Sequence, residues 1–398
     1  MIRSMYSGIA GLQNFQTKLD VIGNNIANVN TFGFKKGRVT FQDAMNQTMR
    51  GASGATEGRG GTNPLQVGLG SVTASIDNIQ TQGSLQTTGG PLDLAIEGDG
   101  FFVVQGPGGQ NFYTRAGNFT TDHAGNVVTT DGYRVQQFEN GVLSDITIDE
   151  NAVLPARATE QITFGGNFPS DVVDEDFSIP KEMIVVDDSG VEHIYAVEMT
   201  PIMPADSGDP VTQWNISFTN NSLDPVVSID FDIDLEGDFP GTIELPIGED
   251  ETFLVSNLNF DGLTNDPGAA TFDVDSDGYL EGTLAGYAIG PGGEIIGIYS
   301  NDEIQEIATI GLAKFNNPGG LIKVGNNLYQ ESANSGIANV GEAENIGGVI
   351  RQGALEMSNV DISEEFTEMI VTQRGFQANT RIITTSDQIL EELVNLKR

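Results

Sequence analysis

The feature that most constrains this chain is its final stretch, Asp361 to Lys397. Ile362, Phe366, Met369, Gln373, Phe376, Thr380, Ile383, Asp387, Leu390 and Val394 follow one another at intervals of four and three residues, and seven of the ten are apolar. That spacing marks one stripe of a long α-helix. Asp361 with Glu364 three residues on is an N-terminal capping signal, and no proline interrupts the run. Lys397 and Arg398 sit where the helix dipole favours cations. At 1.5 Å per residue the segment predicts a rod about 54 Å long. Gly375 in its interior costs about 1 kcal/mol against alanine, and β-branched residues crowd Thr380 to Thr385. Such a helix is marginal alone and needs a partner.

The partner candidate lies at the opposite end. Ile2, Met5, Ile9, Leu12, Leu19, Ile22, Ile26 and Val29 repeat with the same spacing, slipping only where Gln16 and Gly23 take the stripe positions. Two amphipathic termini therefore bracket everything else. Periodicity alone fits a helix pair inside one globule as well as a surface for assembly.

Between the helices the composition changes. Fifty glycines and 8% aromatic residues, with clear apolar alternation, point to turn-rich β-structure. At 398 residues the chain can bury two or three separate cores. Gly51 to Pro64 is glycine-rich without periodicity and is expected to be flexible when free, within a glycine-rich connector spanning 35–70. From Gln66 the chain turns β-like: Leu92, Leu94 and Ile96 alternate with Asp93, Ala95 and Glu97. Glu97-Gly98-Asp99-Gly100 then supplies a turn and Phe101 to Val104 a returning strand. Residues 146–284 differ, with 30 Asp/Glu against two basic residues, Arg157 and Lys181, so this block carries −28 of the net −38. Alternation persists there at Ile184 to Val186, Ile216 to Phe218 and Ile229, Phe231, Ile233, Leu235, the last with aspartates and Glu236 interleaved. The block is thus expected to be folded, with an acidic outer face: a solubilising surface first, a specific partner or adaptation to salt or pH second. From Leu284 the earlier pattern resumes, so the acidic block reads as an insertion into a domain built from both halves of the chain.

Few chemistries survive inspection. Asp273, Asp275, Asp277 and Gly278 open a calcium-loop pattern, with Glu281 at its ninth position. The twelfth, where a bidentate glutamate belongs, is Leu284, and no helix flanks the loop, so a strand-connecting turn is the favoured reading and no metal site is expected. His123 and His193 stand outside any ligand spacing, and no nucleophile or nucleotide fingerprint is present, so neither an enzyme nor a cofactor is expected. Trp214 is expected in a core. The first fifty residues hold six Lys/Arg against two acids, including Lys35-Lys36-Gly37-Arg38. A net charge of −38 and the lack of aromatic interleaving argue against nucleic acid, leaving a solvated or protein-facing patch. Cysteine is absent, which excludes disulfides and thiol chemistry. No apolar run approaches the roughly 18 residues of a membrane span, and no basic segment followed by a 7–15-residue apolar run suggests a cleaved signal.

At the termini the residues say more than their pattern. Ser7-Gly8-Ile9-Ala10-Gly11-Leu12 and Leu19 to Lys35, with Asn24, Asn25, Asn28, Asn30, Gly33 and Phe34, closely resemble the start of bacterial flagellar rod and hook proteins. Ser358 to Ile362, Glu365 to Ile370 and Gln373 to Asn379 resemble the C-terminal pattern of the same family, except at Gly375, where alanine or a polar residue is more usual. Pro91 to Phe102 and Tyr113 to Phe119 are similar to it as well. Independently, the asparagines are poor helix formers that satisfy local backbone groups, which suits a helix end and its exit into extended chain.

The resemblance implies a mixed fold: long terminal helices forming a coiled-coil-like assembly region, with two mainly-β domains nested between them. The expected order is an N-terminal helix in 1–34, the connector in 35–70, the halves of the first β-domain in 71–145 and 285–358, the acidic β-domain in 146–284, and a C-terminal helix in 359–398. It further implies a structural subunit that polymerises outside the cell, exported by the flagellar type III apparatus and partnered by itself, the rod, the hook cap and hook–filament junction proteins. Ile9, Leu12, Leu19, Ile22, Ile26, Phe366, Met369, Phe376, Ile383 and Leu390 would form the assembly interface. The acidic insertion favours the hook over the distal rod. A secreted acidic calcium-binding or adhesin-like module is the alternative from another class.

Overall fold

The computed structural model describes residues 2–54, 57–139, 141–149, 151–172, 177–203, 211–220, 227–234, 242–246 and 252–396. It is mostly β, with a helix at each end: Ile2–Ala27 and Ile362–Leu396, besides a single helical turn at Ala343–Ile346. Lys397 and Arg398, proposed above to complement the dipole, lie outside the described residues, as do Leu235 and Glu236. The chain divides into two compact units. The first comprises 1–149, 288–296 and 306–398; the second comprises 150–287 and 297–305. Residues 297–305, assigned from sequence to the first β-domain, therefore belong to the second unit.

In the first unit the two long helices run antiparallel. A β-carbon added at Gly8 would lie 3.4 Å from Ile383 Cγ1, one at Gly11 2.7 Å from Asn379 Nδ2, and one at Gly375 2.6 Å from Phe15 Cζ. Pairs 8/383, 11/379 and 15/375 thus step in opposite directions, with glycines letting the backbones close in. Gly375 gives up helix propensity to make room for the Phe15 ring, which accounts for the residue that departs from the family pattern.

Much of the expected 35–70 connector is a β-arm instead. Gly37–Asp43 pairs antiparallel with Ser71–Asn78, and Asn46–Arg50 with Leu65–Gly68. Further out, Ser53 and Thr62 form one more bridge. The strands meet across a glycine-rich tip, so their pairing leaves no trace in local periodicity. The turn at Gly98–Gly100 also differs from the hairpin expected there. Leu94–Gly98 pairs with Gly348–Gln352, whereas Phe101–Gln105 enters the large sheet beside Asn111–Thr114, Arg134–Glu139 and Leu312–Lys314. Both glycines adopt positive φ (99° and 133°), turning the chain from one sheet into another. Leu94 to Ile96 and Phe101 to Val104 are buried at every position, as strands covered on both faces are.

That large antiparallel sheet interleaves chain from before and after the second unit: Leu328–Gln330 lies beside Asn111–Thr114, with Tyr329 opposite Tyr113. Phe101, Tyr113, Phe315 and Tyr329 pack edge-to-face under it, with centroids 4.8–5.9 Å apart.

The second unit is a β-body with its own core. Ile179–Val186, Glu192–Pro201, Gln213–Asn220 and Val227–Asp234 form an antiparallel meander. Gln161–Asn167 runs parallel to Asn257–Thr264 and antiparallel to Asp273–Ser276. Met183, Val185, Tyr195, Val197, Trp214, Ile216, Phe218 and Ile233 face inward onto Phe164, which stacks on Phe260 at 4.7 Å. Ile184 is 48% exposed, because the inward phase of its strand falls on Met183 and Val185.

Candidate functional site

The helix seam and the point where the chain leaves it carry a dense polar construction. At its head Asp361 Oδ1 accepts the backbone N–H groups of Ser363 (2.8 Å) and Glu364 (3.3 Å), so the capping signal read from sequence is made. The first helix ends through its asparagines: Asn28 Nδ2 donates to Asn24 O and Oδ1 (both 2.9 Å), and Thr31 Oγ1 donates to Asn28 Oδ1. Asn25, 1% exposed, bridges three segments. Its Nδ2 donates to Gly37 O (2.9 Å) and Glu365 Oε2 (3.2 Å), and its Oδ1 accepts Gly37 N–H (2.9 Å). Burial raises the Glu365 carboxyl above its ordinary range, against the pull of Asn25 and Lys36. Lys18–Glu368 (3.0 Å) and Lys36–Glu364 (2.8 Å) flank the junction.

Sequence reasoning missed the centre of this construction. Glu356 is completely buried, with Lys35 Nζ 2.6 Å from its Oε1 and Arg115 Nη1 3.5 Å from its Oε2. Gly83 N–H also donates to Oε1 (2.8 Å), and the Glu356 backbone carbonyl accepts Gly33 N–H (2.8 Å). Lys35 Nζ donates to Thr81 O as well (2.8 Å), while Arg115 Nη2 donates to Gly98 O (2.9 Å) and its guanidinium lies over the Phe101 ring. Burial lowers the affinity of Lys35 and Arg115 for their protons, against the opposing attraction of Glu356. Asn359 extends the network: its Oδ1 accepts Lys36 N–H (2.8 Å) and its Nδ2 donates to Ile79 O (2.8 Å). Lys35 and Arg115 both lie inside motifs quoted above, but their partner is 321 and 241 residues away. The basic cluster is thus protein-facing: Lys35 meets Glu356, Lys36 Glu364, and Arg38 Asp77 (3.5 Å).

Gly33 and Phe34 are both buried here. Gly33 has φ +69°, and a β-carbon on it would lie 2.5 Å from Ala116 N, so only glycine fits. Lys323 Nζ sits 4.8 Å above the Phe34 ring and donates to Lys35 O. Asn30 is exposed on a polar cleft shared with Thr31, Asn118 and Asn326.

Of the residues expected to form an assembly interface, Ile22 is buried, while Leu12, Leu19, Ile26, Met369, Phe376, Ile383 and Leu390 are half-buried in the single chain. Ile9 and Phe366 stand exposed at 41% and 49%. The C-terminal helix buries Glu365, Thr372 and Ser386, a more polar face than the predicted stripe. It leaves Ile362, Phe366, Ile370, Val371, Ile382, Ile389 and Val394 in solvent. On the arm Met45, Met49, Leu65, Val67, Val72 and Ile76 are exposed too. Apolar surface on this scale rarely stays open in a monomer.

The aspartates of the calcium-loop pattern do not converge. Asp273 pairs with Lys181 (3.1 Å), and Asp277 takes Arg157 (3.1 Å) and the backbone N–H groups of Glu160 and Gln161 (2.9 and 2.8 Å). Asp275 lies in the Asp273–Ser276 strand and Glu281 is exposed beyond it. Among the described residues no group of three or more carboxylates or histidines is placed to hold an ion. No helix among them is long and apolar enough to cross a membrane.

A body closed by its own two ends, carrying open apolar surface on both helices and on an arm, defines a structural protein of the helix-bracketed type. Comparison with known proteins makes that specific. Residues 5–35 match the family model described as flagella basal body rod protein, residues 95–165 the flagellar hook protein FlgE/F/G D1 domain, and residues 351–396 the flagellar basal body rod FlgEFG protein C-terminal region. The chain is 38% identical to the flagellar hook protein FlgE of Borreliella burgdorferi and 35% to that of Treponema pallidum, each over 100% of both chains. It is 36% identical to the flagellar basal-body rod protein FlgG of Bacillus subtilis, again over 100% of both. The chain belongs to the flagellar hook and basal-body rod FlgE/F/G family. In fold it resembles the crystal structure of Helicobacter pylori flagellar hook protein FlgE2, with TM-score 0.52 and 14% identity over 68% of this chain and 100% of that one.

Proposed function

We infer that this chain is a structural subunit of the bacterial flagellar hook, without catalytic activity, which polymerises into a flexible curved tube joining rod to filament and transmitting torque. The observation that carries this reading is the end-to-end similarity to hook proteins. The acidic insertion, used above to separate hook from rod, separates them poorly: the relative named as a rod protein aligns over its full length as well.

In this reading the two helices pack as the inner wall of the tube and the arm lies against neighbouring subunits, so that the apolar residues left open in one chain are covered in the polymer. Its partners are further copies of itself, the rod, the hook cap and the hook–filament junction proteins, and it reaches them through the type III export apparatus. The second unit faces outward, where water and counterions reach its charge; against the axis it would meet like charge from every neighbour within a screening length of about 8 Å at physiological ionic strength. Negative-stain microscopy of concentrated protein tests the proposal. Tubes are expected, and particles that stay monodisperse at every concentration would overturn it.

A further inference from the structure

We propose that the second unit is an ionic-strength-dependent element: its fold is held together against its own charge, and a diffuse atmosphere of cations, not a bound ion, sets its stability.

Arg157 and Lys181 are the only Lys/Arg residues of the acidic block, and 297–305 adds none, so nearly all the carboxylates of this unit must do without an internal cation. The structure places both cations on one short stretch: Lys181 on Asp273, and Arg157 on Asp277 with a longer approach of 3.9 Å to Glu160. They pin Asp273–Ser276 and the turn after it to the rest of the unit. The meander has no such help on its outward face. Ser217 stands opposite Asp230 on one neighbour and Glu198 on the other, so two exposed carboxylates face each other across one strand, and Asp232 follows Asp230 on the same face. Two interstrand spacings put such groups about 10 Å apart. The screening length is about 30 Å at 0.01 M salt and about 3 Å at 1 M, so their repulsion is felt in full at low salt and is nearly extinguished at high salt. Unfolding spreads the same charges along an extended chain, so repulsion weighs more heavily on the folded unit. The first unit, with −9 spread over its 251 residues, carries no comparable load.

Trp214, the only tryptophan of the chain, is fully buried in this unit's core and reports on it alone. The test is urea unfolding of the full chain followed by Trp214 fluorescence, in about 0.01 to 1 M NaCl, with KCl as a second series. The unit's folding constant should rise at least tenfold across that range and equally for both salts. The double variant Glu198→Gln, Asp230→Asn should be more stable at low salt and show a shallower salt dependence. A Trp214 transition independent of salt, or one that falls with it, overturns the proposal. So does stabilisation by micromolar CaCl2 at constant ionic strength, which would mean a specific site.

Discussion

The two units solve the same problem by opposite means. The second is made from nearly continuous chain and held by an apolar core around Trp214, Phe164 and Phe218, with charge pushed to its surface. The first is closed by segments hundreds of residues apart and has at its centre a carboxylate shared by two cations, Lys35–Glu356–Arg115. Burying charges costs free energy that burying methylenes would gain, so this construction adds little net stability; what it supplies is a single permitted arrangement of helix exit, arm and sheet. The comparison teaches that the unit carrying the termini is built for specificity, and the unit between them for burial of apolar area.

The largest effect should come from breaking that centre. Glu356→Ala leaves Lys35 and Arg115 buried without a counter-charge, a loss of about 3–5 kcal/mol. Differential scanning calorimetry should show the first unit melting earlier, while the Trp214 transition stays in place. If both transitions move together, the units are not energetically distinct.

Next comes the helix seam. Gly375→Ala puts a methyl against the Phe15 ring, and overpacking of this kind costs about 1–3 kcal/mol, of which helix propensity returns about 1. Phe15→Leu opens the space, so the pair should be non-additive in a double-mutant cycle read by urea unfolding of the first unit. Additive effects would mean that the two residues do not meet.

The smallest effect is a slope. Glu365 has its proton affinity raised by burial, so the folded chain holds a proton that the unfolded chain releases. Between the ordinary carboxylate range and that raised value, stability of the first unit should therefore fall as pH rises. Glu365→Gln should flatten the curve in that window and leave Trp214 unaffected; an unchanged curve would assign the slope elsewhere.

Much of this plan was legible before any coordinates. The terminal helices declare themselves by spacing and by Asp361, and the acidic block by composition. What escaped was non-local. The arm pairs Gly37 with Asn78 across a glycine-rich tip, so Gly51 to Pro64 reads as a linker when only neighbours are considered. Phe101 to Val104 suggests a hairpin partner in Leu94–Gly98, but a strand buried on both faces carries no phase to tell which sheet it joins. The Glu356 hub is invisible because nothing near Glu356 marks it as the partner of Lys35. Even the predicted C-terminal stripe is only partly the inward one. Glycines set against Ile383, Asn379 and Phe15 make the intramolecular seam, leaving Phe366 outside.

In the proposed assembly the open apolar surfaces of the first unit are covered by neighbouring subunits and the second unit stays solvated. Amide hydrogen exchange compared between free and assembled protein tests it directly. New protection on assembly is expected in 2–27, 37–78 and 362–396, with exchange across 150–287 essentially unchanged. Protection gained in 150–287, with the helices and arm exchanging as fast as in the free chain, would contradict it.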